Sequence, residues 1–285
     1  IKIKNLKNNR SNIIIKKVVK DFGNEWKRFD QSIVKKSELK NIFDQYFNIF
    51  PLKELNKNLI GFDLGCGSGR WAKFIAPKVK KLNCIDPSVE AISVAKKNLI
   101  NFKNINYINS EVNKKILIKN SQDFGYCLGV LHHIPDTLNG IKICNMMLKK
   151  NAPFLIYLYY KFDNRNFLFT SLWKISDFLR LLICFLPFNI KKLFTDFLAL
   201  LIYYPLAKLS YVIDKFGIKT SSIPLSFYKN KSFYTMRTDS LDRFGTKLEK
   251  RFTKSEIENL LSMSGFKDIK FSEKTPFWVA TCRKK

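Results

Sequence analysis

Acidic residues are scarce: 23 Asp and Glu stand against 51 Lys and Arg, a formal net charge of +28 over 285 residues. Histidine is scarcer still, with two residues, His132 and His133, adjacent in the chain. Neighbouring imidazoles with no acid or thiol at a ligating spacing give poor coordination geometry, so no metal site is expected. The six cysteines (Cys66, Cys84, Cys127, Cys144, Cys184 and Cys282) include no Cys-x-x-Cys pair. Three of them lie in apolar runs that read as strands or strand ends, so reduced, mostly buried thiols are expected in place of disulfides or zinc. An unbroken apolar run of bilayer length, about 20 residues, is missing: Phe197 to Ala207 is too short and contains Pro205. Residues 1 to 20 carry Lys throughout and no signal-peptide core, so a cytoplasmic protein is expected. The chain does not begin with Met, and a few residues are expected to precede it.

What is abundant sets the class. With 46% hydrophobic, 14% aromatic and 26% charged residues, the chain is too apolar for disorder and too charged for a multispan membrane protein. The basic excess suggests nucleic acid, anionic membrane or acidic substrates as partners. It is mostly Lys, however, and Lys, Asn, Ile and Phe share AT-rich codons, so base composition alone supplies much of it. No dense Arg cluster of the kind that forks onto phosphates is present. Nucleic acid is therefore not the expected partner, although a basic nucleic-acid-binding module without catalysis stays open as an alternative.

From Leu59 onward, short apolar runs (59–64, 82–85, 105–108, 124–128 and 154–159) alternate with amphipathic segments, the rhythm of βαβ units and a parallel sheet. Residues 1–54 read as an N-terminal arm and a helix from Ser37 to Phe50. Ser88 and Pro135 open helices, Thr253 to Glu256 forms a capping box, and Gly265 stops the last helix. Two final strands, near 269–271 and 277–282, form a hairpin on the sheet edge. The expected fold is α/β: a Rossmann-like doubly wound sheet over 55–160 and 245–285, mainly parallel, with a C-terminal antiparallel hairpin strand and a helical insertion at 161–244. In the insertion, Phe167 to Leu186 and Lys191 to Tyr204 predict helices apolar around most of their circumference. Such helices must bury against each other, a partner or a membrane interface, and a lid over an acceptor pocket with peripheral membrane contact is expected.

The sharpest motif is Phe62-Asp63-Leu64-Gly65-Cys66-Gly67-Ser68-Gly69-Arg70, a strand ending in an acid followed by a glycine-rich turn into a helix. Glycines let a ligand approach the backbone, and the helix start offers unpaired N–H groups. The spacing is not the GxGxxG of a pyrophosphate site, and Asp63 would repel pyrophosphate while suiting a ligand with an ammonium group. Asp86 ends the next strand, where a carboxylate accepts from a ribose diol; a helix cap or turn is the alternative for either acid alone.

Together these features resemble the class I S-adenosylmethionine-dependent methyltransferases, in particular the group with the type 11 methyltransferase domain. The resemblance implies S-adenosyl-L-methionine as cofactor. Asp63, Gly65, Cys66, Gly67 and Gly69 correspond to the motif that cradles its methionine part, Asp86 to the ribose-binding acid and Glu111 to the residue near the adenine. Asp123 to His133 corresponds to the fourth-strand motif, with Leu128 and Gly129 running beneath the methionine. Lys149-Lys150-Asn151-Ala152 departs from the family's usual Lys-Pro-Gly-Gly. Phe22 to Phe29, Tyr157 to Arg165, Arg237 to Thr246 and Lys274 to Val279 are similar to a bacterial subgroup associated with biosynthetic and surface-polysaccharide gene clusters. His133 is the candidate base for an acceptor hydroxyl, against a structural role in its loop. Tyr159, Tyr160, Asp163 and Arg237 are the acceptor-side candidates, against aromatic packing for the tyrosines. The implied activity is O-methylation of a small-molecule acceptor, a sugar or biosynthetic intermediate, with a lipid-linked or quinone-like acceptor at the membrane as the alternative.

Overall fold

The computed structural model describes residues 2–113, 115–220 and 223–285, and their contacts divide the chain into two units, 1–32 with 39–161 and 248–285, and 33–38 with 162–247. The first unit holds a seven-stranded sheet in the order β3-β2-β1-β4-β5-β7-β6. Its strands are β1 (Ile60–Leu64), β2 (Lys81–Asp86), β3 (Ile105–Asn109), β4 (Phe124–Leu128), β5 (Pro153–Tyr157), β6 (Phe266–Phe271) and β7 (Ala280–Lys284). The first five are mutually parallel, and β7 slots antiparallel between β5 and β6. The chain order reverses direction at β1 and β4, the switch point where open α/β sheets bind ligands beyond the carboxyl ends of the strands.

Two glycine–phenylalanine pairs fix the register of those central strands. Gly61 stands opposite Phe124 and Phe62 opposite Gly125. A Cβ on Gly61 would lie 2.3 Å from the Phe124 ring, and one on Gly125 equally close to the Phe62 ring. Each ring therefore lies flat over a missing side chain, one on each face of the sheet. A slip by one residue would drive side chains into both rings.

Helix starts follow the local chemistry. Ser88 Oγ accepts from Ala91 N to cap α4 (Val89–Asn98), and Thr253 with Glu256 forms a complete capping box on α10 (Lys254–Met263). Gly265, at φ +84°, ends α10 in the left-handed region. The helix expected to open at Pro135 is capped one residue later by Asp136, giving α5 (Thr137–Met147). The helix expected from Ser37 to Phe50 is α2 (Lys36–Phe47), ending before Pro51.

The N-terminal segment departs from expectation. Lys2–Arg28 forms one helix, α1, belonging to the first unit, in place of an irregular arm. No proline interrupts it, and its one glycine, Gly23, serves close packing: a Cβ there would stand 2.5 Å from Ser88 Oγ at the start of α4.

The second unit contains α6 (Phe167–Ile183), α7 (Phe188–Leu198), α8 (Tyr204–Lys215) and α9 (Phe233–Gly245). Both α6 and α7 pack on α9. A π turn, Ala199–Tyr203, joins α7 to α8 without a break, so Phe188–Lys215 is a single 28-residue helical run. Its most apolar eighteen-residue window has a mean hydropathy of 1.4, so this run is long and apolar enough to cross a membrane, contrary to the expectation set by Pro205. The proline sits in the first turn of α8, where the missing N–H costs least. Glu38 of the same unit accepts from Ser232 N, Ser232 Oγ and Thr235 Oγ1, tying the 33–38 segment to the start of α9.

Candidate functional site

The glycine-rich turn leaves β1 and immediately curls back toward β2. Gly65 N and Cys66 N both donate to the Ile85 carbonyl (2.7 and 3.0 Å), and Gly67 N donates to Asp86 Oδ2 at 3.0 Å. Gly65, Gly67 and Gly69 all have positive φ (76°, 52° and 75°), which L side chains rarely adopt. Space forbids side chains there as well. A Cβ on Gly65 would meet Val130 at 2.2 Å, one on Gly67 the Trp26 indole at 2.7 Å, and one on Gly69 Leu99 at 2.5 Å. Trp26 of α1 thus covers the turn, with the Arg70 guanidinium 5.4 Å from its ring and 4.4 Å from that of Trp71.

The two acids have different surroundings. Asp63 is buried, and its Oδ2 makes no close hydrogen bond among the described residues, although the Tyr126 hydroxyl acts on the carboxyl as a donor. Burial pushes its carboxyl up to about 8, with the Asp86 charge adding to the rise and Tyr126 and Arg70 opposing it. Asp86 is also buried, and burial raises its carboxyl to about 6 against the backbone N–H groups of Ser88 and Gly67, each of which donates to one of its oxygens. Cys66 is walled in beside Cys84, and their hydrogen bond together with burial pushes its thiol up, keeping it protonated. All six cysteines are buried free thiols.

After β4 the chain turns through Gly129 (φ +79°), whose N donates to the Tyr157 carbonyl, into a single 3-10 turn, Leu131–His133. Both histidines are buried. His133 Nδ1 lies 2.7 Å from the Leu248 carbonyl. A carbonyl only accepts, so Nδ1 carries the proton and Nε2 keeps the lone pair. Phe22 of α1 lies 4.9 Å from the His133 ring. His132 stacks on Tyr159 at 3.8 Å, and burial, followed by the neighbouring His133 and Arg251 charges, holds its pKa well below the usual histidine range.

The structure therefore connects Asp63, Gly65, Cys66, Gly67, Asp86, Gly129, His133 and Tyr159 within the first unit. Leu128 closes β4 and is buried. Glu111 follows β3 with its side chain exposed. Tyr160 bridges to Phe252, and its ring lies 5.7 Å from Phe277, a packing role. Asp163 and Arg237 belong to the second unit, where the Arg237 fork holds both oxygens of Asp196 at 2.8 Å, a fixed structural pair. Tyr126, opposite Asp63 in the β1–β4 register, and Leu248, the acceptor for His133, escaped the sequence reading. The first follows from a correct register; a backbone carbonyl more than a hundred residues away leaves no sequence signal.

These residues fit S-adenosylmethionine. A buried Asp63 oxygen without a close hydrogen bond suits its ammonium, and the Asp86 carboxylate retains lone pairs for a diol. Residues 62–156 match the family model described as Methyltransferase domain. The ubiquinone biosynthesis O-methyltransferase of Coxiella burnetii is 32% identical over 108 residues, 37% of this chain and 44% of that protein. Its namesake from Vibrio cholerae is 26% identical over 153 residues, 50% of this chain and 61% of that protein. The chain thus spans roughly half the length of these curated relatives. A chain in the solved complex of the Haloferax volcanii Trm112 methyltransferase activator shares the fold, with a TM-score of 0.50 at 11% identity, covering 92% of this chain and 96% of that one. Motif, sheet order and family match agree: the chain carries a class I S-adenosylmethionine-dependent methyltransferase domain.

Proposed function

We propose that the protein transfers a methyl group from S-adenosylmethionine to a hydroxyl oxygen of a quinone-like small molecule. The observation that carries the cofactor half is the buried Asp63 Oδ2, which makes no close hydrogen bond and stands two residues before the glycine turn. In this reading Asp63 pairs with the methionine ammonium and Asp86 accepts from the ribose hydroxyls. When bound, S-adenosylmethionine supplies an electrophilic sulfonium methyl, so the chain's own contribution is to position the acceptor and take its proton.

His133 is suited to the second task. Its Nδ1–H donates to the Leu248 carbonyl, which fixes the ring and stabilises the imidazolium formed when Nε2 takes the hydroxyl proton. Phe22 and Tyr159 pack beside that ring and keep water from it. The names of the relatives support a quinone-like acceptor, and nothing among them supports the sugar that the sequence suggested first.

Titration calorimetry with S-adenosylmethionine and its demethylated product, followed by mass spectrometry of catechol acceptors after incubation, tests the reading. Cofactor binding together with a methylated catechol is the expected result. A chain that binds neither form of the cofactor overturns it.

A further inference from the structure

The second unit has a small apolar core, Ile183, Tyr203, Ala207, Tyr228, Met236 and Phe244, and buries polar groups beside it. Its interior holds charge and hydroxyl groups: Arg180, Lys191, Thr195, Ser210 and Ser240 are buried. Each of the two cations has a partner inside the unit. Arg180 Nη1 donates to the Thr246 carbonyl (3.0 Å) and Nε to Asp177 (2.6 Å), while Lys191 Nζ donates to the Gly245 carbonyl (2.9 Å). Ser240 Oγ donates to the Thr195 carbonyl at 2.8 Å. The outer faces of the same helices carry Phe167, Phe178, Phe185, Phe194 and Leu201, exposed by 79, 62, 69, 51 and 68%. The sequence predicts helices that must bury against each other, a partner or a membrane interface, and the described residues leave these faces exposed. In water the hydrophobic effect disfavours leaving so many large apolar side chains outside. An exposed apolar surface of this extent marks a site of interaction with an apolar partner.

The rim identifies that partner. Lys208 lies 5.3 Å from the Tyr204 ring, Lys215 4.8 Å from Tyr211 and Lys247 4.3 Å from Phe185. Lysines set against aromatic rings beside an apolar face are the arrangement found at the headgroup level of a bilayer. The chain's net charge of +28 attracts anionic lipid and repels a second copy of itself. We propose that the outer face of α6, α7 and α8 docks into one leaflet of an anionic phospholipid bilayer.

The unit lies in the interface and does not cross it. The Phe188–Lys215 run is roughly 40 Å long, enough to span. One of its sides, however, carries Lys191, Thr195, Ala199, Tyr203, Ala207 and Ser210, all buried within the unit. Asp196, in the α7 part of the run, is held by Arg237 and Lys192. A helix with one protein-facing stripe along its whole length and one apolar stripe opposite is an interfacial helix. This inference is independent of the methyl-transfer reading, since lipid binding requires no cofactor.

Flotation of the full chain with phosphatidylcholine vesicles, with and without phosphatidylglycerol, tests it. The chain is expected to float with the anionic vesicles at low salt and to bind them less as salt rises. Phe178→Glu and Phe194→Glu alter only outward side chains, so the helical circular dichroism and the cofactor affinity should persist. Each is expected to lower vesicle partition at least about tenfold. Flotation of the Phe178→Glu/Phe194→Glu double variant as strong as that of the wild type overturns the proposal by placing binding elsewhere. So does a wild type that ignores vesicles but sediments as an oligomer that the two substitutions dissociate, because the face is then a protein interface.

Discussion

At the residue scale, the two acids divide the cofactor's recognition, and their protonation makes that division measurable. Asp63 titrates near 8 in the folded chain against 3.8 for an ordinary Asp. The folded state therefore keeps a proton that the unfolded chain has released, and stability falls as pH rises from 3.8 towards about 8. Asp63→Asn is accordingly expected to raise the melting temperature of the ligand-free protein at pH 8, with the gain fading towards pH 4, as a thermal-shift series across pH will show. Affinity runs the other way. An ammonium ligand needs the carboxylate, so wild-type binding should weaken below about pH 8, by up to about tenfold per unit, while Asp63→Asn binds weakly at every pH. Asp86→Ala should cost about ten- to a hundredfold in cofactor affinity by calorimetry. His133→Ala should leave that affinity intact and lower turnover by about 10²- to 10⁴-fold. A variant with normal turnover would return His133 to a packing role against Phe22 and Tyr159.

At the element scale, the strands, the glycine turn and the capping box were legible because each is written in a few neighbouring residues: alternating apolar runs, three closely spaced glycines, a Thr and a Glu three apart. What escaped depends on distant partners. Nothing local in Lys2 to Phe22 announces a helix, since its Asn and Ile are mediocre helix formers; its packing on α4 through Gly23 is a tertiary fact. Pro205 reads as a break, yet the π turn before it places the ring where a helix tolerates it. The glycines of β4 and its exit give a sharp test of how sterics and backbone strain divide. Gly125 has ordinary strand φ, but a Cβ there would meet the Phe62 ring at 2.3 Å, whereas Gly129 has φ +79° and nothing within 4 Å. Gly125→Ala is therefore expected to destabilise by about 1–3 kcal/mol through overpacking, and Gly129→Ala by about 1–2 kcal/mol through backbone strain alone. Adding Phe62→Leu should recover part of the loss in the first variant and none in the second. Urea denaturation of the two single and two double variants decides it.

At the scale of the whole molecule, the fold class and the placement of a helical insertion were visible in the interrupted βα rhythm. The exposure of that insertion's outer apolar faces was not, because periodicity marks an apolar stripe without saying which side of the helix faces protein. Arg180 and Lys191, charged residues of those helices, are buried. The way the chain leaves and re-enters the first unit makes the division testable. Tyr160 bridges to Phe252, Phe252 N donates to the Tyr159 carbonyl, and Lys161 N donates to the Phe252 carbonyl, so the two ends of the excursion are stitched side by side. Replacing residues 164–246 by a short Gly-Ser linker would leave every sheet hydrogen bond in place, along with the His133–Leu248 contact. Glu38 would lose its partners Ser232 and Thr235 to water, and the buried Phe162 would lose the Phe169 and Trp173 rings. Such a chain is expected to unfold in one cooperative step and to bind S-adenosylmethionine as the full chain does, while no longer floating with anionic vesicles. Loss of cofactor affinity together with flotation would show that the first unit does not fold without the second. Retained flotation would move lipid binding to the basic surface of the sheet unit.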